Sequence, residues 1–322
     1  MKRELLIGAL LGVGLTSCLK EELPVPARER DTTARSVQVC MGPGYQEQLW
    51  LDLGTGEVVS SNVKTAWDLA FESAPDGWRI YLNGSKMMTA YNIGPVDMTQ
   101  SQDTMGMAAG RHIDAPSGHR DSTAIGDWRG QDQVFIVDLG LDAIGIPQGL
   151  RKFKFLSSSA TEFVFEVARL NGTQHSTVTV PKDPSRSFTC YKTGTGVVDI
   201  EPQHGTWDLV VTQYTHQFYE PFLPYLVAGA LSAKGVRASK VHGVAFENVT
   251  LADTLSHPFN AARDAIGYDW KEYVFETASY VVDHTRVYIV QDAEGLFYKL
   301  QFSDFYSESG QVGCPSFQVV AL

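Results

Sequence analysis

The side chains best suited to chemistry here are imidazoles, and six of the eight histidines fall in two long stretches, about 72–133 and about 212–286. His216 ends the apolar run WDLVVTQYTH and is followed at once by the aromatic, proline-containing QFYEPFLPYLVAGAL. His242 sits in ASKVHG, a basic run of small residues able to close over a ligand. An imidazole nitrogen is a good donor to a borderline transition metal, so His216 and His242 rank first as metal ligands. His257 precedes a proline and reads as the end of a turn; His284, in VVDHTRV, reads as a turn residue. His112 and His119, each with an acid two residues on (Asp114 and Asp121), have the types to hold a divalent ion. Their spacing is unspecific, and a solvated loop accounts for them. Five of the seven methionines, Met87, Met88, Met98, Met105 and Met107, share that first stretch; hydrophobic filling is their expected use.

Other chemistries lack their signatures. The chain has no GxSxG elbow, no HExxH, no P-loop and no GxGxxG. Carboxylates are plentiful, but none can be paired from spacing alone, so no catalytic residue is expected and the reading is of a binding protein rather than an enzyme. A net charge of −11 argues against a nucleic-acid partner or a polybasic membrane surface. Beyond Cys18 the cysteines are Cys40, Cys190 and Cys314, with no CxxC pair, so a structural zinc site is not expected. An odd number leaves at least one thiol unpaired within the chain.

The elements that must position these residues read as strands. LWLDL, AWDLAF, WRIYL, VFIVDL, FVFEVARL, TVTVP, WDLVVTQY, VYIVQ, FYKLQF and FQVV are short, branched or aromatic, and bounded by Gly, Asp, Asn or Ser. ARDAIGYDW and PYLVAGALSAKGV have mixed spacing and are the segments where a helix could form. One phrase is written twice: GTGEVVSSNVKTAWDL at 54–69 recurs as GTGVVDIEPQHGTWDL at 194–209 with no gap. Each copy is followed by a long insertion and then by two further strands. The expected fold is therefore all-β: two related antiparallel modules, 37–185 and 186–322, with long inserted loops and little helix. In each Trp-Asp-Leu the Trp is expected to plug a core and the Asp to bond a neighbouring turn. Only the second copy runs on into TQYTHQF, which points to the second module as the one that binds.

The first residues read as targeting rather than fold. A basic start and the run LLIGALLGVGL form a short apolar segment that ends in Leu15-Thr16-Ser17-Cys18, which resembles the lipobox of bacterial lipoproteins. The expectation is a signal peptide over 1–17, lipidation of Cys18, and a polar tether over 18–36. Leu19-Lys20-Glu21-Glu22 resembles the surface-export signal of Bacteroidetes lipoproteins. Membrane attachment is then through lipid alone, at the outer membrane and facing the medium.

Several of these pieces together resemble the HmuY family of haem-binding lipoproteins. They are Trp67-Asp68-Leu69-Ala70-Phe71 with Asn83-Gly84-Ser85, PYLVAGAL with Gly235-Val236, Trp270-Lys271, and the closing VYIVQDAEGLFYKLQFSDFY. The resemblance implies an all-β fold, haem as bound cargo rather than catalytic cofactor, axial ligation of iron by His or in some relatives Met, and delivery to a TonB-dependent outer-membrane transporter. The residues suit that ligand. Iron takes imidazole or thioether donors, the macrocycle needs a flat apolar slot, and its propionates need cations. His216 and His242 are the expected iron ligands, Phe222 and Tyr225 the expected wall, and Lys240 the expected propionate partner. The alternative is a surface adhesion module for a glycan or a protein, with Trp78, Trp128 and Tyr219 as its platform.

Overall fold

Runs of branched and aromatic residues broken by turn residues become twenty strands in the computed structural model, which describes residues 33–322. The signal segment, Cys18 and nearly all of the expected tether lie outside the described residues. The first ten strands are β1 (Arg35–Gln38), β2 (Glu47–Asp52), β3 (Glu57–Val63), β4 (Leu69–Glu72), β5 (Ile80–Leu82), β6 (Thr89–Gly94), β7 (Val134–Asp138), β8 (Leu150–Ser158), β9 (Glu162–Ala168) and β10 (Ser176–Pro181). The second ten are β11 (Phe188–Lys192), β12 (Gly196–Val198), β13 (Leu209–Tyr219), β14 (Phe222–Ser232), β15 (Arg237–His242), β16 (Lys271–Val274), β17 (Ser279–Val282), β18 (Arg286–Gln291), β19 (Phe297–Tyr306) and β20 (Val312–Ala321). One α-turn, Met107–Gly110, and a few 3-10 turns are the helical content of the described residues. The fold is all-β and antiparallel.

The repeated phrase explains the sheet topology. Two four-stranded sheets run β3-β2-β13-β14 and β12-β11-β4-β5. The first hairpin of each copy, β2–β3 or β11–β12, thus pairs with the strand that follows the Trp-Asp-Leu of the other copy. The registers match at the 140-residue offset: Leu51 faces Leu209, and Tyr191 faces Leu69. Gly56 and Gly196 close the equivalent turns at φ of 74° and 112°, a region that disfavours any Cβ. Two five-stranded sheets, β10-β9-β8-β7-β6 and β1-β20-β19-β18-β15, repeat the correspondence, with β1 standing where the other sheet has β10. The boundary read at 185/186 falls between β10 and β11, yet both four-stranded sheets draw on both sides of it. All described residues fall in one compact unit.

Two apolar clusters fill the interior. One gathers Trp50 and Trp207, edge to face at 4.6 Å, with Trp270 stacked on Phe302 at 3.9 Å. The other gathers Phe71, Phe153, Phe163 and Phe165, all fully buried. Each such ring contributes about 1.5–3 kcal/mol of burial before entropy is counted. Trp207 plugs its core as expected, while Trp67 is half-buried and donates its indole N–H to Gln48 Oε1 at 3.1 Å.

The stretch read as insertion after the second copy is largely strand. PYLVAGALS, a possible helix by composition, lies in β14, which pairs with β13 along eleven residues. Its small residues answer a close approach: a Cβ on Gly229 would lie 2.3 Å from Gly267 O. ARDAIGYDW forms turns, not a helix, and bridges backbone to backbone, Ala230 N to Gly267 O at 3.0 Å and Gly267 N to Ala230 O at 3.1 Å. The small residues Ala228, Gly229 and Ala230, which gave the segment a helix-like composition, thus fit it against a neighbouring chain segment.

Candidate functional site

β13 pairs with β2 only over Leu209–Val211, so its remaining eight residues have β14 as their strand partner. The two strands leave the sheet as a long hairpin. Its root is braced by Asn83-Gly84-Ser85: Thr215 Oγ1 donates to Gly84 O at 2.6 Å, and Ser85 Oγ donates to Gln213 O at 2.6 Å. Asn83 is buried, donates to Lys64 O and Trp67 O at 2.8 Å each, and accepts from Ser85 N at 2.9 Å. The Asn-Gly-Ser of the sequence therefore positions the hairpin rather than touching its free face.

His216 lies on this hairpin opposite Tyr225. Its ring packs on Phe218 and on Tyr268, with both centroid distances 4.9 Å. Phe218 in turn meets Tyr225 at 6.4 Å. Among the described residues, neither ring nitrogen of His216 has a hydrogen-bond partner, and the residue is half-buried. Tyr268 is held there by the Gly267 bridge to β14 on one side and by the fully buried Trp270 on the other. Lys271, also buried, donates to Ala228 O of β14 at 2.5 Å and sits 4.1 Å from the Trp270 ring centroid. Burial pulls its ammonium down to about 7, with Asp269 opposing.

A belt of phenols continues from Tyr225. The Tyr45 phenol is pushed up by burial first, and further by Tyr280, Tyr306 and Tyr225. Tyr280 is raised as well, by burial and then by Tyr225. Tyr306 OH accepts from Tyr280 N at 2.7 Å. The Tyr45 and Tyr280 hydroxyls stay protonated at neutral pH and serve as neutral donors or acceptors. The ribbon β16–β17 adds exposed Tyr273 and Phe275, 5.1 Å apart.

The other expected site residues take definite places. Lys240 is on β15 with its ammonium on Asp269, at 2.8 Å and 2.9 Å from the two carboxylate oxygens. Arg286 shares that carboxylate at 2.9 Å. Lys240 is thus joined through Asp269 to the chain segment that carries Tyr268, and its charge is already partnered. His242 ends β15 opposite Arg286 and is exposed. Phe222 is at the hairpin tip, 75% exposed, with its ring 6.1 Å from Tyr219. The structure brings His216 and Tyr225 into one aromatic group; Phe222 lies beyond it at the tip, and Lys240 and His242 lie on the neighbouring sheet edge.

The remaining candidates separate from this group. His257 Nδ1 is 3.0 Å from Asp253 O, inside its own turn. Asp114 accepts from Leu82 N and Ala124 N, both at 2.6 Å, and so clamps its loop. Met88, Met98 and Met107 are buried, as filling requires, whereas Met105 is 83% exposed and fills nothing. Trp128 is 3% exposed, and Trp78 has the guanidinium carbons of Arg79 and Arg129 at 4.3 Å and 3.8 Å from its ring centroid. These two do not form the open platform expected for a glycan. Sequence reasoning missed Tyr268, Asp269, Arg286 and the phenol belt. Tyr268 had one visible signal, its place two residues ahead of Trp270-Lys271.

Among solved structures, apo PinO from Porphyromonas gingivitis is similar at 12% identity and a TM-score of 0.29, over 90% of this chain and 98% of that one. A putative HmuY-like heme binding protein from Bacteroides vulgatus is similar at 10% identity and a TM-score of 0.24, over 53% of this chain and 91% of that one. An apo HmuY analog from Tannerella forsythia is similar at 16% identity and a TM-score of 0.24, over 53% of this chain and 95% of that one. No curated protein matches. The family described as HmuY protein matches residues 44–319, from ahead of β2 into β20, and the chain belongs to that family.

Proposed function

We propose that this chain binds haem as cargo, through the face formed by His216, Phe218, Tyr225 and Tyr268. The observation that carries the reading is the His216 imidazole: its nitrogens have no hydrogen-bond partner among the described residues, and its ring stands among aromatic rings on a projecting hairpin. An imidazole with both nitrogens available beside flat apolar walls suits an iron porphyrin. His216 would hold the iron through one ring nitrogen, and His242 is the proposed second ligand. Tyr225 and Phe222 would wall the macrocycle, and Lys240 or Arg286 would meet a propionate in exchange for Asp269. Iron gripped by both imidazoles would have no open position for oxygen chemistry, which suits carriage of haem rather than a reaction on it.

Family membership supports the reading, and the sequence supplies the setting. We propose that Cys18 is lipidated, that the chain is displayed at the outer membrane, and that haem passes from it to a TonB-dependent transporter. A second reading, docking of a protein partner, is favoured by the exposed Tyr219 and Phe222 at the hairpin tip. Titration with haemin separates the two. Saturable sharpening of the Soret band at one haem per chain is expected; a flat titration leaves the docking reading and removes the haem reading.

A further inference from the structure

Away from the hairpin, a cavity of about 110 Å³ lies between the two four-stranded sheets, where the two copies of the repeat meet. That volume holds more than one water. Its walls include Trp50, Trp67, Tyr81, Phe188, Cys190 and Leu231. Its polar lining divides into groups that are satisfied and groups that are not. Gln48 is fully used: its amide nitrogen donates to Ser85 Oγ and Thr212 Oγ1 at 3.2 Å and 3.1 Å, and its oxygen accepts from Asn62 and Trp67 at 2.9 Å and 3.1 Å. Both oxygens of Asp114 are used by backbone N–H groups.

Glu201 and Arg263 differ. Glu201 is 5% exposed; its Oε2 accepts from Phe188 N at 2.8 Å, Ser187 also hydrogen-bonds the carboxyl group, and burial raises it to about 7. Arg263 uses Nε on Ser232 O at 3.3 Å, which leaves both terminal nitrogens without one. The two groups influence each other but form no ion pair within 4.0 Å among the described residues. Tyr81 OH likewise has no hydrogen-bond partner among the described residues, and its ring packs edge-on to Phe188 at 5.1 Å. A guanidinium fork, a buried carboxyl group and a phenol thus border one apolar-walled space, the fork and the phenol with capacity left over.

We propose that this cavity is a binding site for a small carboxylic acid that also carries a hydrogen-bond donor, such as an α-amino acid, with its carboxylate on Arg263 and its ammonium on Glu201. The donor fork of Arg263 fits a carboxylate in two-pronged fashion, and the Glu201 carboxyl group, which a bound ammonium would favour in its charged form, accepts from the other end. The cavity volume limits the ligand to a small side chain. The site is separate from the His216 face and stands whether or not that face binds haem. The loop that carries His112, Asp114 and His119 acquires a role by this reading: Asp114 and Gly118 line the cavity, and Arg263 N donates to Ser117 O at 2.8 Å, which fixes the loop across it.

The test is calorimetric titration of the intact protein with glycine, L-alanine and L-serine, with acetate and methylammonium as single-ended probes. Saturable binding of at least one amino acid is expected, at least tenfold weaker in Glu201→Gln and in Arg263→Lys. His216→Ala serves as a control and is expected to bind the amino acid like the parent. Absence of binding by all three amino acids overturns the proposal. So does acetate binding as tightly as the amino acids, which would mark an anion site only. Because either substitution touches a packed region, unchanged circular dichroism is required of each variant. Should both variants unfold, a soaked crystal of the parent decides: density for the amino acid joining Arg263 to Glu201 supports the site, and water alone overturns it.

Discussion

Asp68 and Asp208 do the same backbone task and live in opposite electrostatic surroundings. Each follows the Trp of one copy of the repeat and accepts a hydrogen bond from the residue that opens the other copy's turn, Thr193 N for Asp68 and Leu53 N for Asp208, both at 2.8 Å. Around Asp68 stand Lys86, in direct contact, and Lys192 at 3.1 Å. Burial alone would raise its carboxyl, but Lys86, the Thr193 N–H and Lys192 outweigh that and hold it below the ordinary value. The position equivalent to Lys192 at the 140-residue offset is Asp52. Asp208 is therefore pushed up to about 7, by burial first and then by Asp52, Asp292 and Glu294.

Neutralising the two should have opposite consequences. Asp68→Asn keeps a backbone acceptor but strips the counter-charge from Lys86, whose side chain is 1% exposed. Breaking a buried pair from one side costs about 3–5 kcal/mol, so chemical denaturation should show a loss of that order. Asp208→Asn keeps the acceptor to Leu53 N and removes a carboxylate that repels its neighbours, so stability at pH 8 should hold or rise. The pH dependence separates them further. The folded Asp208 takes up its proton near 7, above the ordinary 3.8, so the folded state binds more protons than the unfolded state between those limits. Its contribution is therefore favourable at low pH and is lost as pH rises toward 7. Asp208→Asn should flatten the fall in stability between pH 4 and 7 relative to the parent. Asp68 has the reverse sign: its contribution is present above 3.8 and is lost on acidification below that value.

Trp270 holds the segment that delivers Tyr268 to the site. It is 1% exposed, stacked on Phe302 at an interplanar angle of 8°, and donates its indole N–H to Gly267 O at 3.2 Å. Trp270→Ala should cost about 3–5 kcal/mol through the cavity it leaves. Trp270→Phe should recover most of that loss and still slacken the Gly267 turn. Denaturation midpoints for the two variants check the first claim. The mobility of the Tyr268 ring, read by its fluorescence or NMR line width in Trp270→Phe, checks the second.

Cys40 and Cys314 are bridged, and Cys190 is a buried free thiol. The bridge joins the chain just after β1 to β20, where β1 pairs as an edge strand with residues such as Gln38 facing Ser316. It closes a loop with a sequence separation of 274, so its loss frees a long stretch of unfolded chain. Replacing Cys40 and Cys314 by Ser should lower stability by about 2–4 kcal/mol. Hydrogen exchange should then accelerate first in β1, since its remaining hold is one strand ladder. Cys190 should resist thiol reagents in the folded protein, because burial drives its thiol pKa up and hides it.

Much of this architecture was legible, and what was not has physical causes. The offset of 140 residues marked the duplicated hairpin and the Asp that caps a turn. It could not reveal that each Trp-Asp-Leu strand joins the other copy's hairpin, because strand partnership is non-local and identical patterns pair equally well with either copy. β14 was hidden by its own close packing: the approach of Gly267 requires the small residues Ala228, Gly229 and Ala230, and those residues carry little strand signature. At the site, His216 was visible as a polar residue ending an apolar run. Its neighbour Tyr268 was not, since it lies in a turn segment with no period that is tied to β14 by the Gly267 backbone bridges and the Lys271 side chain.

The two proposed ligands differ enough in setting to make distinct predictions. His216 packs between Phe218 and Tyr268, so its ring direction is fixed before any ligand arrives. His242 is exposed at the end of an edge strand, so ordering it must be counted against binding. His216→Ala should therefore abolish the ligand-field bands in both the oxidised and reduced spectra and weaken haemin binding at least tenfold. His242→Ala should change the bands with a smaller loss of affinity, because a pre-set first ligand and the aromatic walls remain. Tyr268→Ala removes a wall and leaves both imidazoles, so affinity should fall while the band positions of the bound form stay. A Tyr268→Ala spectrum that matched His216→Ala would mean that the ring acts by placing the imidazole rather than by touching the macrocycle. Loss of the bands in His242→Ala with none in His216→Ala would move the iron to the edge of the five-stranded sheet and end the assignment to the hairpin.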